Sequence, residues 1–193
     1  MKLFNRFRGN SKHKSKRLFV GSPMSADFVA VGEGFRSKHA HLRGVKWEPN
    51  ENYHVTLYFL GEVLEGQVEN VCTLIDALVE GQQAFKLKTR AICYPPVVKN
   101  PRMFWIRFDK SDEFSAWVQE MDRVFQQIVP KQKVRKNPTP HMTLGRLRNF
   151  NQYEEVNFSW ALPEAYLLNE VVLWESILLP KGARYVPLKR WRL

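Results

Sequence analysis

A four-residue pattern, His-x-Thr-Leu, occurs twice in this chain and constrains its fold more than any other feature of the sequence. The copies are His54-Val55-Thr56-Leu57 and His141-Met142-Thr143-Leu144. With five histidines among 193 residues, composition alone would supply roughly 0.01 copies of such a tetrapeptide. Two copies therefore indicate a shared role, and their side chains could converge if the copies lie in symmetry-related lobes.

Each copy lies in a stretch with the alternation of a β-strand. The period of two sends the histidine and the threonine of each copy to one face, while the apolar residues point to the other. Phosphodiester cleavage needs a base for the nucleophile and an acid for the leaving oxygen. Histidine suits both tasks because its pKa lies near neutrality. The pair His54 and His141 is thus a candidate acid–base site, and Thr56 and Thr143 are candidate hydrogen-bond donors to the phosphate.

Two other interpretations of the motifs stay open. Each histidine could be an ordinary strand residue whose ring is hydrogen-bonded. The pair could also ligate a metal, but no third histidine, cysteine or carboxylate stands at a recognised ligand spacing near either copy. A site without metal is therefore favoured.

The remaining pattern predicts an α+β protein. Helices are predicted from Ala26 to about His41, over 66–80, and from Phe114 to the proline at 130, the last two from apolar stripes at spacings of three and four. Strands are predicted at 17–21, 53–60, 84–93, 102–109, 141–147, 155–161, 166–178 and 184–191. Hairpin-like strand pairs separated by single helices favour antiparallel sheet, and a parallel α/β arrangement is the alternative.

In the second of these strands, the predicted apolar face is Val55, Leu57 and Phe59, and the strand is expected to stop at Gly61. Residues 1–16 are predicted to form a basic flexible tail, and residues 17–193 a single domain. The net charge is +11, of which residues 1 to 17 carry +7, so the body remains basic. Such a balance favours a polyanionic partner, although a soluble protein with a basic tail would look the same.

The two cysteines, Cys72 and Cys93, imply no disulfide framework. The apolar runs are too short to cross a bilayer, and the N-terminus lacks the apolar stretch of a signal peptide. We therefore expect a cytoplasmic protein with no membrane partner.

At the two motifs the sequence resembles the 2H phosphoesterase superfamily, and within it the RNA 2′,3′-cyclic phosphodiesterases, also called 2′-5′ RNA ligases. The resemblance covers roughly residues 17 to 193 and includes the flanks of both motifs. Similar segments are 18–20, 45–47, 52–61, 101–105, 140–147 and 173–176, together with Tyr185.

The resemblance implies a bilobal fold with pseudo-two-fold symmetry, in which two antiparallel sheets face a central cleft and helices lie outside. It implies no cofactor, no metal and an RNA or oligonucleotide ending in a 2′,3′-cyclic phosphate as substrate; we also expect a monomer. His54 would be the general acid on O3′ and His141 the general base, although symmetry allows the exchange. Thr56 and Thr143 would bind the phosphate, and Arg146 could add a charged contact.

Two other functions are compatible with the same sequence. The same site could act on 2′-5′ oligonucleotides, a choice that the motifs do not decide. In a different class, the chain could be a non-catalytic RNA-binding module in which Trp47, Phe104 and Trp105 stack on bases. Packing in the core is the alternative for these aromatics, and the presence of both histidines favours an enzyme.

Overall fold

The computed structural model describes residues 14–95, 102–129, 138–148, 156–180 and 182–193. The described strands are β1 (Ser15–Pro23), β2 (Val45–Trp47), β3 (His54–Leu64), β4 (Phe85–Cys93), β5 (Met103–Phe108), β6 (His141–Leu147), β7 (Ala165–Leu168), β8 (Glu170–Leu179) and β9 (Gly182–Arg192). The described helices are α1 (Ala26–Lys38), α2 (Val68–Val79) and α3 (Asp112–Phe125), with 3-10 turns at Asn50–Asn52 and Glu65–Gln67.

The strands form two arms that meet at the two motif strands. The first arm has the order β9-β8-β1-β3 and the second the order β6-β5-β4-β7, and all recorded ladders are antiparallel. The arms join where Val55 of β3 pairs with Met142 of β6. In each arm the motif strand lies beside the strand that precedes a long helix, β1 before α1 and β5 before α3. The α+β prediction is confirmed, and the parallel alternative is wrong for the described strands.

The helices are built from the predicted stripes and cover the apolar side of the sheet. In α3, Ser111 caps the N-terminus by accepting a hydrogen bond from the amide of Phe114 at 3.1 Å. The stripe that includes Phe114, Met121 and Phe125 is buried in the main core together with Val55 and Met142. Helix α3 ends at Phe125 and α1 at Lys38, each earlier than predicted.

Strand β3 departs from the predicted alternation. Its ladder with β1 shifts register between Val20 and Gly21, which makes Leu57 the extra residue of a bulge. Phe59 is consequently 55% exposed, whereas Tyr58 and Leu60 are buried, so the prediction of Phe59 on the apolar face is wrong. A second shift brings Gly61 to a φ of 75°, and the strand continues through it to Leu64.

The predicted strand at 155–161 is also wrong for its described residues, 156–161, which form no strand. Phe158 and Trp160 instead pack their rings on Phe35 of α1, and this aromatic content explains the strand-like pattern. The predicted strand at 166–178 is divided into β7 and β8, because the chain crosses there from the edge of the second arm to the interior of the first.

The predicted tail lies mostly outside the described residues. The last residues of this tail are described. Ser15 and Lys16 pair with Leu64 and Val63, so β1 begins two residues before the expected strand. No helix in the described part of the chain is long and apolar enough to span a membrane.

Candidate active site

The antiparallel register at the junction places all four motif side chains on one face of the sheet. Val55 and Met142 pair directly and are both fully buried on the helix side. Because neighbouring residues alternate in direction, the residues flanking this pair point to the opposite, cleft face. Those residues are His54, Thr56, His141 and Thr143, all of which line a single cavity of about 450 Å³. The two sequence motifs, 87 positions apart, therefore meet at one site.

The His54 ring is fixed at both nitrogens. Its Nδ1 lies 2.6 Å from the carbonyl oxygen of Asn52, and its Nε2 lies 3.0 Å from Oγ1 of Thr56. A carbonyl can only accept, so Nδ1 carries a hydrogen and Nε2 is the nitrogen that takes up or releases a proton. In the neutral ring, Nε2 accepts a hydrogen bond from the Thr56 hydroxyl.

Aromatic side chains surround the same ring. Its centroid lies 4.9 Å from that of Phe19, 5.6 Å from that of Trp174 and 5.3 Å from that of Tyr185. Burial lowers the pKa of His54 from 6.5 to about 4, opposed by the Asn52 carbonyl and assisted by the positive charge of Arg146. The protein surroundings therefore keep His54 neutral at pH 7.

His141 is held in a corresponding way on the second arm. Its Nδ1 lies 2.9 Å from the carbonyl oxygen of Thr139, two residues earlier, as Asn52 precedes His54. The ring stacks on Trp105, with centroids 3.7 Å apart and an interplanar angle of 20°. The same tautomer argument applies, so Nε2 of His141 is its proton-exchanging nitrogen. The two motifs thus share one local geometry.

Arg146 also lines the cavity, as the sequence suggested, but it is not a free cation. Its Nε donates to Oε1 of Glu48 at 2.9 Å, and the Glu48 side chain is only 12% exposed. The Arg146 side chain is 53% exposed, which leaves the rest of its guanidinium near the opening. Tyr185 lines the same region, and burial raises the pKa of its hydroxyl. This end of the cleft can bind an anion while Glu48 holds the arginine in place.

The family model described as LigT like Phosphoesterase matches residues 31–105. A curated RNA 2′,3′-cyclic phosphodiesterase of Aquifex aeolicus (strain VF5) is 29% identical over 193 residues, covering 93% of this chain and 98% of that protein. The chain is therefore similar to LigT-like phosphoesterases in part of its sequence and to a curated RNA 2′,3′-cyclic phosphodiesterase over nearly its whole length.

Solved structures show the same fold. A protein of Thermus thermophilus superposes on this chain with a TM-score of 0.77 at 23% identity, covering 92% of this chain and 97% of that one. Escherichia coli LigT in complex with 3′-AMP has a TM-score of 0.70 at 22% identity, covering 93% and 98%. The predicted bilobal α+β architecture is confirmed, and in the described part of the chain its two antiparallel arms belong to one nine-stranded sheet, joined at the pair of Val55 and Met142.

Several residues of the candidate site were missed or misplaced by sequence reasoning. Trp105 is 8% exposed and supports His141, and Phe104 is fully buried in the core, so neither is an exposed platform for RNA bases. Glu48 carried no motif of its own; its position beside a predicted site strand was the only available signal. Phe59, expected inside, lines the cavity because of the bulge in β3.

No cluster of three His, Cys, Asp or Glu side chains that could hold a metal ion occurs within the described ranges. The metal-free mechanism stays a prediction. Both cysteines are free and half-buried.

Proposed function

We propose that this chain is a LigT-like phosphoesterase that opens the terminal 2′,3′-cyclic phosphate of RNA to a 2′-phosphate, with a weak reversible 2′-5′ joining activity. The observation that carries the proposal is the convergence of two His-x-Thr units on one cavity. The similarity to the RNA 2′,3′-cyclic phosphodiesterase of Aquifex aeolicus supports the substrate, and the 3′-AMP bound to E. coli LigT supports a nucleotide-sized ligand.

The chemistry follows from the two Nε2 atoms. One accepts a proton from water as it attacks phosphorus, and the P–O3′ bond breaks as the other donates a proton to O3′. Thr56, Thr143 and Arg146 then hydrogen-bond the non-bridging oxygens, whose charge grows in the transition state. One ring must be neutral and the other charged, so the enzyme needs both histidines in opposite states.

The resemblance assigns the acid to His54 and the base to His141. Because the protein surroundings keep His54 neutral, the acid role requires that the bound phosphate raise its pKa. An anion close to Nε2 acts in that direction, since it favours the charged ring. The reverse assignment, with His54 as the base, needs no such shift.

A substrate that needs no acid separates the two assignments. In a nucleoside p-nitrophenyl phosphodiester, the p-nitrophenolate group leaves without being protonated. The variant that lacks the general acid therefore retains most of its activity on this substrate. If His54 is the acid, His54→Ala loses on the order of 10²-fold on the cyclic phosphate and much less on the activated ester. His141→Ala, lacking the base, is then impaired on both substrates.

The function itself is tested with purified protein, an RNA ending in a 2′,3′-cyclic phosphate and a 2′-5′-linked dinucleotide. We expect a 2′-phosphate from the first and slower cleavage of the second. The exposed His41 offers a matched control, because His41→Ala removes an imidazole away from the cavity. Faster turnover of the 2′-5′ dinucleotide would replace the proposal by a 2′-5′ oligonucleotide phosphodiesterase, and turnover of neither would refute both.

RNA processing and a cytoplasmic location are the corresponding biological proposals. They rest on the substrate and on the reduced state expected for Cys72 and Cys93.

A further inference from the structure

A second arginine of the cleft face stands next to a catalytic candidate. Arg107 of β5 pairs directly with His141 of β6 in the antiparallel ladder. Directly paired residues point their side chains to the same face, so Arg107 shares the cleft face with His141. Arg107 is half-buried and is not among the residues that line the 450 Å³ cavity. It therefore lies beside the reacting site rather than within it.

Arg107 has no protein anion to neutralise it within the described part of the chain. Its side chain makes no ion pair or hydrogen bond with the described residues, and its Nε is buried without a partner. Other arginines nearby differ: Arg146 is paired with Glu48, and Arg90 donates to Asp109 at 3.0 Å. The Cys93 thiol is close to Arg107, but burial raises the pKa of that thiol, so it stays protonated at pH 7.

A half-buried charge with an unpartnered donor is unfavourable until an anion binds to it. In the proposed function the reacting phosphate occupies the cavity lined by Arg146 and the motif residues, so Arg107 is available for another phosphate one step along the cleft. On the basis of the proposed function, we propose that Arg107 binds the phosphodiester immediately 5′ of the terminal nucleotide. The enzyme would then prefer oligonucleotides over mononucleotides.

Binding of reaction products tests this without turnover. The ligands are a tetraadenylate ending in a 2′-phosphate and adenosine 2′-monophosphate, titrated against the full chain and its variants at several salt concentrations. Arg107→Gln should weaken tetraadenylate binding by roughly 10- to 100-fold, the usual worth of a charged hydrogen bond. The slope of log K against log salt should also become shallower by about 0.7, the value for one single-strand phosphate contact.

The affinity ratio between the two ligands isolates the subsite. Arg107→Gln should reduce this ratio at least about tenfold, and Arg107→Lys should restore part of it because the charge returns. Arg90→Gln, which removes an exposed and already paired charge from the neighbouring strand, should leave the ratio as in the unaltered chain.

If Arg107→Gln weakens the binding of both ligands equally, Arg107 lies at the terminal phosphate and the proposal is overturned. It is also overturned if Arg107→Gln weakens the binding of neither ligand. If Arg107→Gln does not fold, Arg107→Lys decides: an affinity ratio that is reduced but not abolished is expected, and an unchanged ratio or its full loss would contradict the proposal. Failure of the proposed function is distinguishable, because it shows as absent hydrolysis of the cyclic phosphate while the binding ratio persists.

Discussion

The contact between β1 and the first motif leaves no room for a side chain at Gly21, and this makes a sharp test of how His54 is positioned. A Cβ at Gly21 would lie 2.6 Å from the carbonyl oxygen of Val55, 3.1 Å from the Trp174 ring and 3.4 Å from Cδ2 of His54. The Val55 carbonyl belongs to the backbone of β3 and cannot rotate away. In Gly21→Ala it must retreat by roughly half an ångström even to reach the tightest contacts that a Cβ makes, which begin at about 3.0 Å.

That displacement moves the strand that holds His54, one of the two candidate catalytic histidines. Overpacking of this kind costs about 1–3 kcal/mol of unfolding free energy. A misplacement of about 1 Å can lower a rate about 100-fold, so half that shift should lower kcat/KM for the cyclic phosphate roughly tenfold. The measurements are denaturant unfolding and steady-state hydrolysis of an RNA ending in 2′,3′-cyclic phosphate.

Gly66→Ala is the matched control, because a Cβ at Gly66 meets nothing within 4 Å. It should leave the rate within about twofold and the stability within about 0.5 kcal/mol of the unaltered chain. Unaltered activity and stability in Gly21→Ala would refute the reasoning, since His54 would then tolerate movement of its own strand.

Two further predictions concern the histidine environments. Because the pKa of folded His54 is about 4 against 6.5 unperturbed, the folded chain takes up its proton only at lower pH, and stability is lost as pH falls from 6.5 towards 4. Denaturant unfolding at pH 7.5 and 4.5 should show about 2–3 kcal/mol more loss in the unaltered chain than in His54→Gln, and equal losses would contradict the burial argument. Trp105→Leu removes the aromatic face stacked on His141 and should lower kcat about tenfold relative to Trp105→Phe, which keeps a ring. Equal kcat values would show that the stack does not position His141.

The site was predictable from sequence to the extent that strand alternation decides side-chain direction. His54, Thr56, His141 and Thr143 could be placed on one face of each strand because their neighbours Val55 and Met142 are apolar and buried. The length and helical spacing of the α3 stripe likewise made that element recognisable. Local periodicity carries this information without knowledge of the rest of the fold.

The remaining features depend on contacts between distant parts of the chain. The bulge at Leu57 arises from the pairing of β3 with β1, and it turns Phe59 outward against the simple alternation. From the sequence, Trp105 was predicted to be an exposed aromatic residue. It stacks on His141 only because β5 lies beside β6 in the fold. The pairing of Arg146 with Glu48 spans 98 positions and has no local signal.

The central claim is that the two histidines act as one unit across the cleft. Hydrolysis of the 2′,3′-cyclic phosphate by His54→Ala, His141→Ala and the double variant measures this directly. Each single change should lower kcat by on the order of 10² or more, and the double variant should be little slower than the worse single, because either loss disables the shared step. Full additivity of the two losses, or a single variant with unaltered kcat, would contradict the account.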